Sequence, residues 1–412
     1  MNKPEATPSN LPVIVLGVDT PIGVAILRDL GRHHYQVIGI GRSKNSIGFA
    51  SRYCHHAIVR EKSEAALLAQ LKKLASQFPA AALIAISEHD NLLLNRCRGE
   101  LEKHLRVLAP GQKMLEQVLD KSRCNKLAQV AGIRVPDTFE PGSIEEVEQR
   151  AGQLSYPRVL KWADPNSVGQ DLERAGLQEH KCQYAHDAED LIQKLRPYTK
   201  IGQFPLVQEY CPGQGIGQMF LVRDGEILLE FQHQRLHEWP PEGGVSTLCK
   251  SLPLTSHEAC RRRSAALLAA LHWNGVAMVE YRYDQRTDTY YFMEINGRFW
   301  GSLPLAIAAG VPFAAGLVAS SMENPPTLSQ PLYPNLHCRF MIPELRRLAR
   351  LMFRPSAIQD PYYSYSRLRE LGNFLLYFCR PGISYYLFSF RDPGPFLADL
   401  KNVFQKVIPG RD

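Results

Sequence analysis

Two short segments decide how the chain reads: Ala277-Met278-Val279-Glu280-Tyr281-Arg282 and, beyond a polar turn at Asp284–Asp288, Phe292-Met293-Glu294-Ile295-Asn296-Gly297-Arg298. Val276–Tyr283 and Tyr290–Ile295 are rich in β-branched and aromatic residues, which predicts an antiparallel hairpin. Side chains alternate along a strand, so Met278, Glu280 and Arg282 are expected on one side and Phe292, Glu294 and Asn296 on the matching side. Two carboxylates and an amide oxygen on one face repel one another unless a hard cation joins them. Oxygen donors of this kind suit Mg²⁺ or Mn²⁺ held together with nucleotide phosphates. Glu280, Glu294 and Asn296 are therefore the candidate metal ligands. Arg298, one alternation further, is placed to neutralise a phosphoryl group in transit. A charged, solvated hairpin face is the bland alternative. Apolar Val279, Met293 and Ile295 argue against it, because they predict a strand buried on its other side.

The surrounding chain has 412 residues, 45% hydrophobic and 22% charged, which excludes a disordered or collagen-like protein and allows two or three domains. A net charge of +7 suits anionic ligands such as nucleotide phosphates without requiring nucleic acid. Nine scattered cysteines with no CxxC pair read as reduced thiols of a cytoplasmic protein. The leader Met1–Asn10 has no apolar stretch and does not read as a signal peptide. Phe299–Met322 is 24 residues without a charge, but Pro304 and Pro312 interrupt it, so a buried helix pair is expected rather than a membrane span.

The first hundred residues alternate strands (Val13–Gly17, Val37–Ile40, Ala82–Ile86) with helices (Val24–Leu30, Glu64–Leu74), the rhythm of a parallel doubly wound sheet. Gly17–Gly23 lacks the GxGxxG spacing and reads as a tight turn before a helix. A dehydrogenase reading would rest on that turn alone and explain nothing after residue 110. Gln112–Gly132 reads as helical, and Tyr156–Trp162 and Leu206–Glu209 as strands flanking a helix at Asp187–Leu195. Met219–Val222 and Ile227–Phe231 form a hairpin, followed by a helix at Ala259–Leu271. The chain is thus expected to pass from an α/β front into an α+β middle. After Asn324-Pro325-Pro326 the composition shifts: residues 341–412 hold eleven Lys+Arg against six Asp+Glu, and thirteen of the 72 are Phe or Tyr. A basic extension packed by its aromatics onto its own enzyme is the favoured reading. Contact of Leu371–Phe390 with a membrane surface is the lesser one.

Several segments, in order, resemble the ATP-grasp superfamily. Leu119-Asp120-Lys121-Ser122 with Gly132-Ile133-Arg134-Val135-Pro136 resembles the family's "DK…AGIPVP" segment. Tyr156-Pro157-Arg158-Val159-Leu160-Lys161 resembles its "YPVVLKP" strand, and Val207-Gln208-Glu209-Tyr210-Cys211-Pro212-Gly213 its "VQEYIPG" hinge. Phe231–Leu236, Gly243–Ser246, Ala277–Arg282 and Met293–Gly310 are similar to segments of predicted ATP-dependent carboligases. The resemblance implies three parts: a Rossmann-like pre-ATP-grasp domain (1–110), a two-lobed ATP-grasp domain (111–325; small lobe about 135–208, large lobe about 209–325), and a C-terminal extension (326–412). It implies ATP and Mg²⁺ as cofactors, with the Glu209 carbonyl and Cys211 N–H on adenine, within the hinge Gln208–Cys211. Lys121 and Lys161 would contact the phosphates and Arg298 the γ-phosphate.

Physically, His233 and Arg235 share one side of a strand and could receive a carboxylate or phosphate beside the Gly243-Gly244 loop. Three departures from the family pattern stand out. Trp162–His180 is poor in glycine where a lid is expected, no acid follows the hinge to grip ribose (Gln214 or Gln218 would substitute), and Gly297 replaces a proline. The implied activity is an ADP-forming ligase that joins a small-molecule carboxylate to an amine through an acyl phosphate, acting as a homo-oligomer. A bicarbonate-activating carboxylase or carbamoyl-phosphate-type enzyme is one alternative, although no biotin carrier motif or glutaminase domain is visible. A non-catalytic ATP sensor is the other, and the complete Glu280, Glu294, Asn296 and Arg298 set argues against it.

Overall fold

The computed structural model describes residues 11–163, 165–178, 180, 182–241, 243–323, 328, 335–358, 360 and 362–407. The leader Met1–Asn10 and the Asn324-Pro325-Pro326 junction lie outside them. Five parallel strands open the chain: β1 (Pro12–Leu16), β2 (Gln36–Gly41), β3 (His56–Val59), β4 (Ala82–Ala85) and β5 (Arg106–Val107), in the order β3-β2-β1-β4-β5. Val13, Ile14, Val15 and Leu16 are all fully buried, as a strand covered on both faces requires. The order reverses between β1 and β4, so the chain leaves their carboxyl ends in opposite directions and a crevice opens there. Thr20 caps the helix Pro21–Arg32, its Oγ1 accepting from the Gly23 N–H at 3.3 Å. Ser87 caps Glu88–Arg96 in the same way, accepting from the Asp90 N–H at 3.0 Å. Both helix starts border the crevice.

The predicted single helix over 112–132 is two helices, Gln112–Leu119 and Lys121–Val130. Asp120 separates them because its carboxylate caps the second, accepting from the Arg123 N–H at 2.9 Å. A four-stranded sheet follows, built from β6 (Thr138–Phe139), β7 (Arg158–Lys161), β8 (Gln183–Ala185) and β9 (Leu206–Glu209) in the order β6-β9-β7-β8. Phe139, Leu160, Trp162, Leu191 and Val207 form its core. Where a glycine-rich lid was sought after Lys161, the helix Pro165–Arg174 stands instead.

The third sheet has seven strands: β10 (Gln214–Arg223), β11 (Glu226–Trp239), β12 (Val245–Ser251), β13 (Gly275–Asp284), β14 (Thr289–Asn296), β15 (His337–Arg339) and β16 (Ile383–Tyr385), in the order β14-β13-β10-β11-β12-β15-β16. The hairpin expected at 219–231 is far longer than its central apolar runs, because polar residues such as Gln218 and Gln232 are buried within it as a mutual hydrogen-bonded pair at 2.9 Å. Strands β15 and β16, beyond residue 325, complete this sheet.

One alternation is corrected by a β-bulge. Glu280 pairs with Glu294 but Tyr281 pairs with Phe292, so Met293 is the extra residue. The bulge turns Phe292 to the back of the sheet, where it packs with Val279, Tyr281 and Ile295, while Met293 and Glu294 both face forward.

Phe299–Met322 supplies two buried helices, Leu303–Ala308 and Phe313–Ala319, packed between the helix Pro21–Arg32 and the large sheet. Asp29 Oδ2 accepts from the Ala314 and Ala315 N–H groups at 2.8 and 3.1 Å, satisfying two orphan donors at the start of the second helix. Among the described residues no helix is long and apolar enough to cross a membrane.

The C-terminal segment is tied to both ends of the fold. Arg28 on the helix Pro21–Arg32 pairs with Asp392 at 2.9 Å in a buried contact. Glu344 on the helix Met341–Phe353 takes His237 Nδ1 at 2.7 Å, the Thr247 hydroxyl at 2.5 Å and Arg347 at 3.1 Å.

Candidate functional site

A cavity of about 850 Å³ lies where the three sheets meet. The large sheet contributes its floor: Met278, Glu280 and Arg282 from β13, and Met293, Glu294 and Asn296 from β14. The small sheet supplies one wall through Val159 and Lys161 of β7 and the hinge Gln208–Cys211. The crevice between β1 and β4 supplies the opposite wall through Thr20, Pro21, Ile22, Ser87, Glu88 and His89.

On the floor, Glu280 and Glu294 are direct partners across the ladder, and Asn296 Nδ2 donates to Glu294 Oε1 at 3.0 Å. Arg235 Nη2 donates to Glu280 Oε2 at 2.5 Å, and Arg235 and Arg282 each lie 3.7 Å from Glu238. Burial raises the Glu280 pKa, Arg235 opposes the rise, and nearby Glu294 adds to it, so the carboxyl ends above its ordinary range. Burial works against the charge of Arg235, but Glu280 and Glu238 outweigh it and hold its proton more firmly than usual.

Glu280, Glu294 and the Asn296 amide oxygen offer hard oxygen ligands, and a cation between the carboxylates would offset the burial and the repulsion that together raise Glu280. That donor chemistry fits a hard divalent ion. Among the described residues no three or more His, Cys, Asp or Glu side chains gather as a metal site. The protein shell is therefore partial, of the kind Mg²⁺ completes with phosphate oxygens and water.

Lys161 lines the cavity, and its pKa is lowered first by burial and then by nearby Lys121, with Glu294 and Glu280 pulling the other way. Lys121 itself does not line the cavity. Its Nζ donates to the Trp162 carbonyl at 3.3 Å, so its charge reaches the site through space rather than by contact. Glu209 is fixed through its carboxylate, which accepts from the Asp137 N–H at 3.0 Å and faces Arg134 at 3.6 Å. Gln208 donates to Thr138 at 3.0 Å. The Cys211 thiol lies 3.6 Å from the Glu209 carbonyl, and burial together with Glu209 pushes its pKa up to about 12, which removes it as a nucleophile.

Two sequence expectations change. His233 has no exposed surface: Nδ1 bonds Ser302 Oγ at 2.8 Å, and burial, then Arg235, lowers its pKa well below the ordinary value. A neutral ring sealed behind the floor does not receive a substrate carboxylate; Arg235, two residues on, does reach the cavity. Gln218 is buried against Gln232 and Gln214 bonds Gln234, so neither lines the cavity as a ribose partner. Gly297, in the loop after β14, suits its position: a Cβ there would stand 2.5 Å from the Trp273 ring.

The sequence reading missed residues that come from afar. Arg298 Nε donates to Glu88, at the start of the helix Glu88–Arg96, at 3.1 Å. Tyr210 donates to Asp360 at 3.0 Å, and its ring lies 5.2 Å from that of Tyr362. The strand order gives the signal for Glu88, since the switch point between β1 and β4 predicts a ligand crevice. Nothing in the sequence around residue 360 marks that contact.

Residues 246–320, which include β13, β14 and all but the first residue of β12, match the family model described as carbamoyl-phosphate synthase L chain, ATP binding domain. A curated relative, urea amidolyase of Saccharomyces cerevisiae, is 24% identical over 213 residues, half of this chain but only 11% of that protein's length. Among solved structures, the biotin carboxylase domain of Hydrogenobacter thermophilus 2-oxoglutarate carboxylase, in complex with MgADP, ADP and bicarbonate, superposes with a TM-score of 0.59 at 16% identity, over 79% of this chain and 73% of that one. The L-amino acid ligase of Bacillus licheniformis also gives 0.59 at 16% identity, over 81% and 79%. With its three sheets meeting at a cavity floored by paired carboxylates, this chain shares the fold of the carboxylase domain and the amino acid ligase, and its residues 246–320 carry the match to the carbamoyl-phosphate synthase ATP binding domain.

Proposed function

We propose that the chain is an ATP-dependent, ADP-forming ligase that activates a small-molecule carboxylate and joins it to an amine. The observation that carries this reading is the Glu280–Glu294 pair with Asn296, on the floor of a cavity that also holds Lys161 and Arg298. The adenine would sit at the end of β9, against the Glu209 carbonyl and Cys211 N–H, with the phosphates running along Lys161. Glu280, Glu294 and Asn296 would hold Mg²⁺, which when bound neutralises and aligns the phosphate oxygens. Arg298, steadied by Glu88, would meet the charge that develops on the transferred phosphoryl group.

In the first step a carboxylate oxygen of the substrate attacks the γ-phosphorus, and the bond to ADP breaks. An amine lone pair then attacks the acyl carbon. Phosphate leaves, and the amine proton ends on it. Positioning supplies most of the acceleration, and no covalent enzyme intermediate is needed. The MgADP complex of the H. thermophilus carboxylase domain supports the nucleotide and ion, and the L-amino acid ligase supports the amine acceptor. A cytoplasmic setting accords with nine scattered cysteines and no CxxC pair.

Bicarbonate as the activated acid is the second reading, favoured by the matched carbamoyl-phosphate synthase model and by the bicarbonate in the carboxylase neighbour. One assay separates the two: ADP release screened across organic acids, amino acids and bicarbonate, each with and without amines. The ligase reading expects ADP release that needs both an organic acid and an amine. ADP release with bicarbonate alone selects the second reading, and none above background with any combination refutes both.

A further inference from the structure

The helix Arg367–Leu376 is mounted with its apolar side outward. Phe374 is 9% exposed and Glu370 pairs with Arg347 at 2.6 Å, so these two face the protein. Leu368, Leu371 and Leu375 recur at helical spacing on the opposite side, with Leu376 beside them, and they are 84, 42, 58 and 69% exposed. Four leucines on ten residues, all turned to solvent, are not the scattered exposure an ordinary surface shows.

The charges around this face have one sign. Residues 341–380 carry seven arginines, no lysine and three carboxylates. All three carboxylates are engaged: Glu344 is buried in its network, Asp360 receives Tyr210, and Glu370 holds Arg347. Arg346, Arg354, Arg367, Arg369 and Arg380 are exposed. A second copy docking face to face would bring these arginines against their equals, with no exposed carboxylate on the same elements to meet them. Protruding leucines rimmed by arginine instead match a surface that is anionic outside and apolar a few ångströms beneath.

We propose that the outer face of Arg367–Leu376 seats the protein on an anionic lipid membrane, with the leucines in the headgroup boundary and the flanking arginines on lipid phosphates. The helix would lie in the surface rather than cross it, and the catalytic cavity stays on the protein side.

The test is co-sedimentation of the full chain with vesicles of phosphatidylcholine alone and of an equal mixture with phosphatidylglycerol. The expected result is partition to the mixed vesicles only, weakened by added salt. Leu375→Glu with Leu376→Glu should reduce partition by roughly a hundredfold or more, the scale of two buried leucines. Arg367→Gln should reduce it roughly fivefold, the scale of one arginine at a charged surface. Circular dichroism and ADP release should be unchanged in both variants, since none of these side chains reaches the cavity. The proposal is overturned if the wild-type chain fails to sediment with mixed vesicles, or if the leucine variant binds them equally well. A wild-type dimer in gel filtration that the leucine variant breaks would also overturn it, because a second copy then covers the face.

Discussion

Glu280 and Glu294 stand directly opposite one another on neighbouring strands, and the bulge at Met293 begins immediately beside them. Like charges placed so are destabilising on their own, and here one is also bonded to Arg235. The arrangement makes sense as a receptor for positive charge. Replacing Glu294 by Ala should abolish Mg²⁺-dependent ADP release while the melting temperature holds, because the side chain is exposed. Normal turnover of that variant at ordinary Mg²⁺ would move the ion elsewhere.

Lys161 reaches the cavity while Lys121 stops at the Trp162 carbonyl. Lys161→Ala is therefore expected to weaken ATP binding by about 1.5–3 kcal/mol, the scale of a hydrogen bond to a charged group. Lys121→Ala should cost less. Titration calorimetry on both variants gives the ranking, and equal losses would mean that the two lysines act alike.

Gly297 lies under the Trp273 ring, where a Cβ would approach to 2.5 Å. Trp273 is 1% exposed and cannot swing into solvent. Gly297→Ala should cost about 1–3 kcal/mol of stability by overpacking. Because Asn296 and Arg298 flank the site of strain, activity should fall with it. An unchanged unfolding midpoint in urea would show that Trp273 gives way freely.

Burial tends to raise the Glu344 pKa, but the bond from His237 and the charge of Arg347 overcome it and hold the carboxyl at about 2, against 4.5 for a free one. A depressed pKa adds stability that is present above the free value and drains away as pH falls from 4.5 toward 2, by about 3 kcal/mol in all. Thermal unfolding of the wild-type chain should therefore show an acid-sensitive loss across that window. Glu344→Gln should be less stable at neutral pH and lose less on acidification. A variant with the wild-type acid slope would place the sensitivity on another group.

The sequence was legible where one local pattern has one consequence. Apolar runs alternating with amphipathic stretches marked the parallel front sheet, and Glu280, Glu294 and Asn296 stood out because two strands and a short turn fix their mutual position. Gln208–Cys211 stood out only through its resemblance to a family segment, since an apolar strand ending in Gln-Glu-Tyr is ordinary by itself. What failed was longer in range or finer in detail. Period-two counting places Phe292 beside Glu294, and only the bulge at Met293 separates them. His233 and Arg235 look equivalent in sequence, yet one is sealed against Ser302 and the other opens on the cavity. Glu88 and Asp360 enter from 210 and 150 residues away in the chain, through bonds to Arg298 and Tyr210 that depend on how whole sheets pack.

The most direct test is titration calorimetry of ATP into the wild-type chain and into Glu280→Gln with Glu294→Gln, each with and without Mg²⁺. The prediction is that Mg²⁺ tightens ATP binding in the wild-type chain and that the double variant loses this gain while still binding the nucleotide through Lys161 and the hinge. An identical Mg²⁺ dependence in both proteins would contradict the assignment of the paired carboxylates as the metal and phosphate platform.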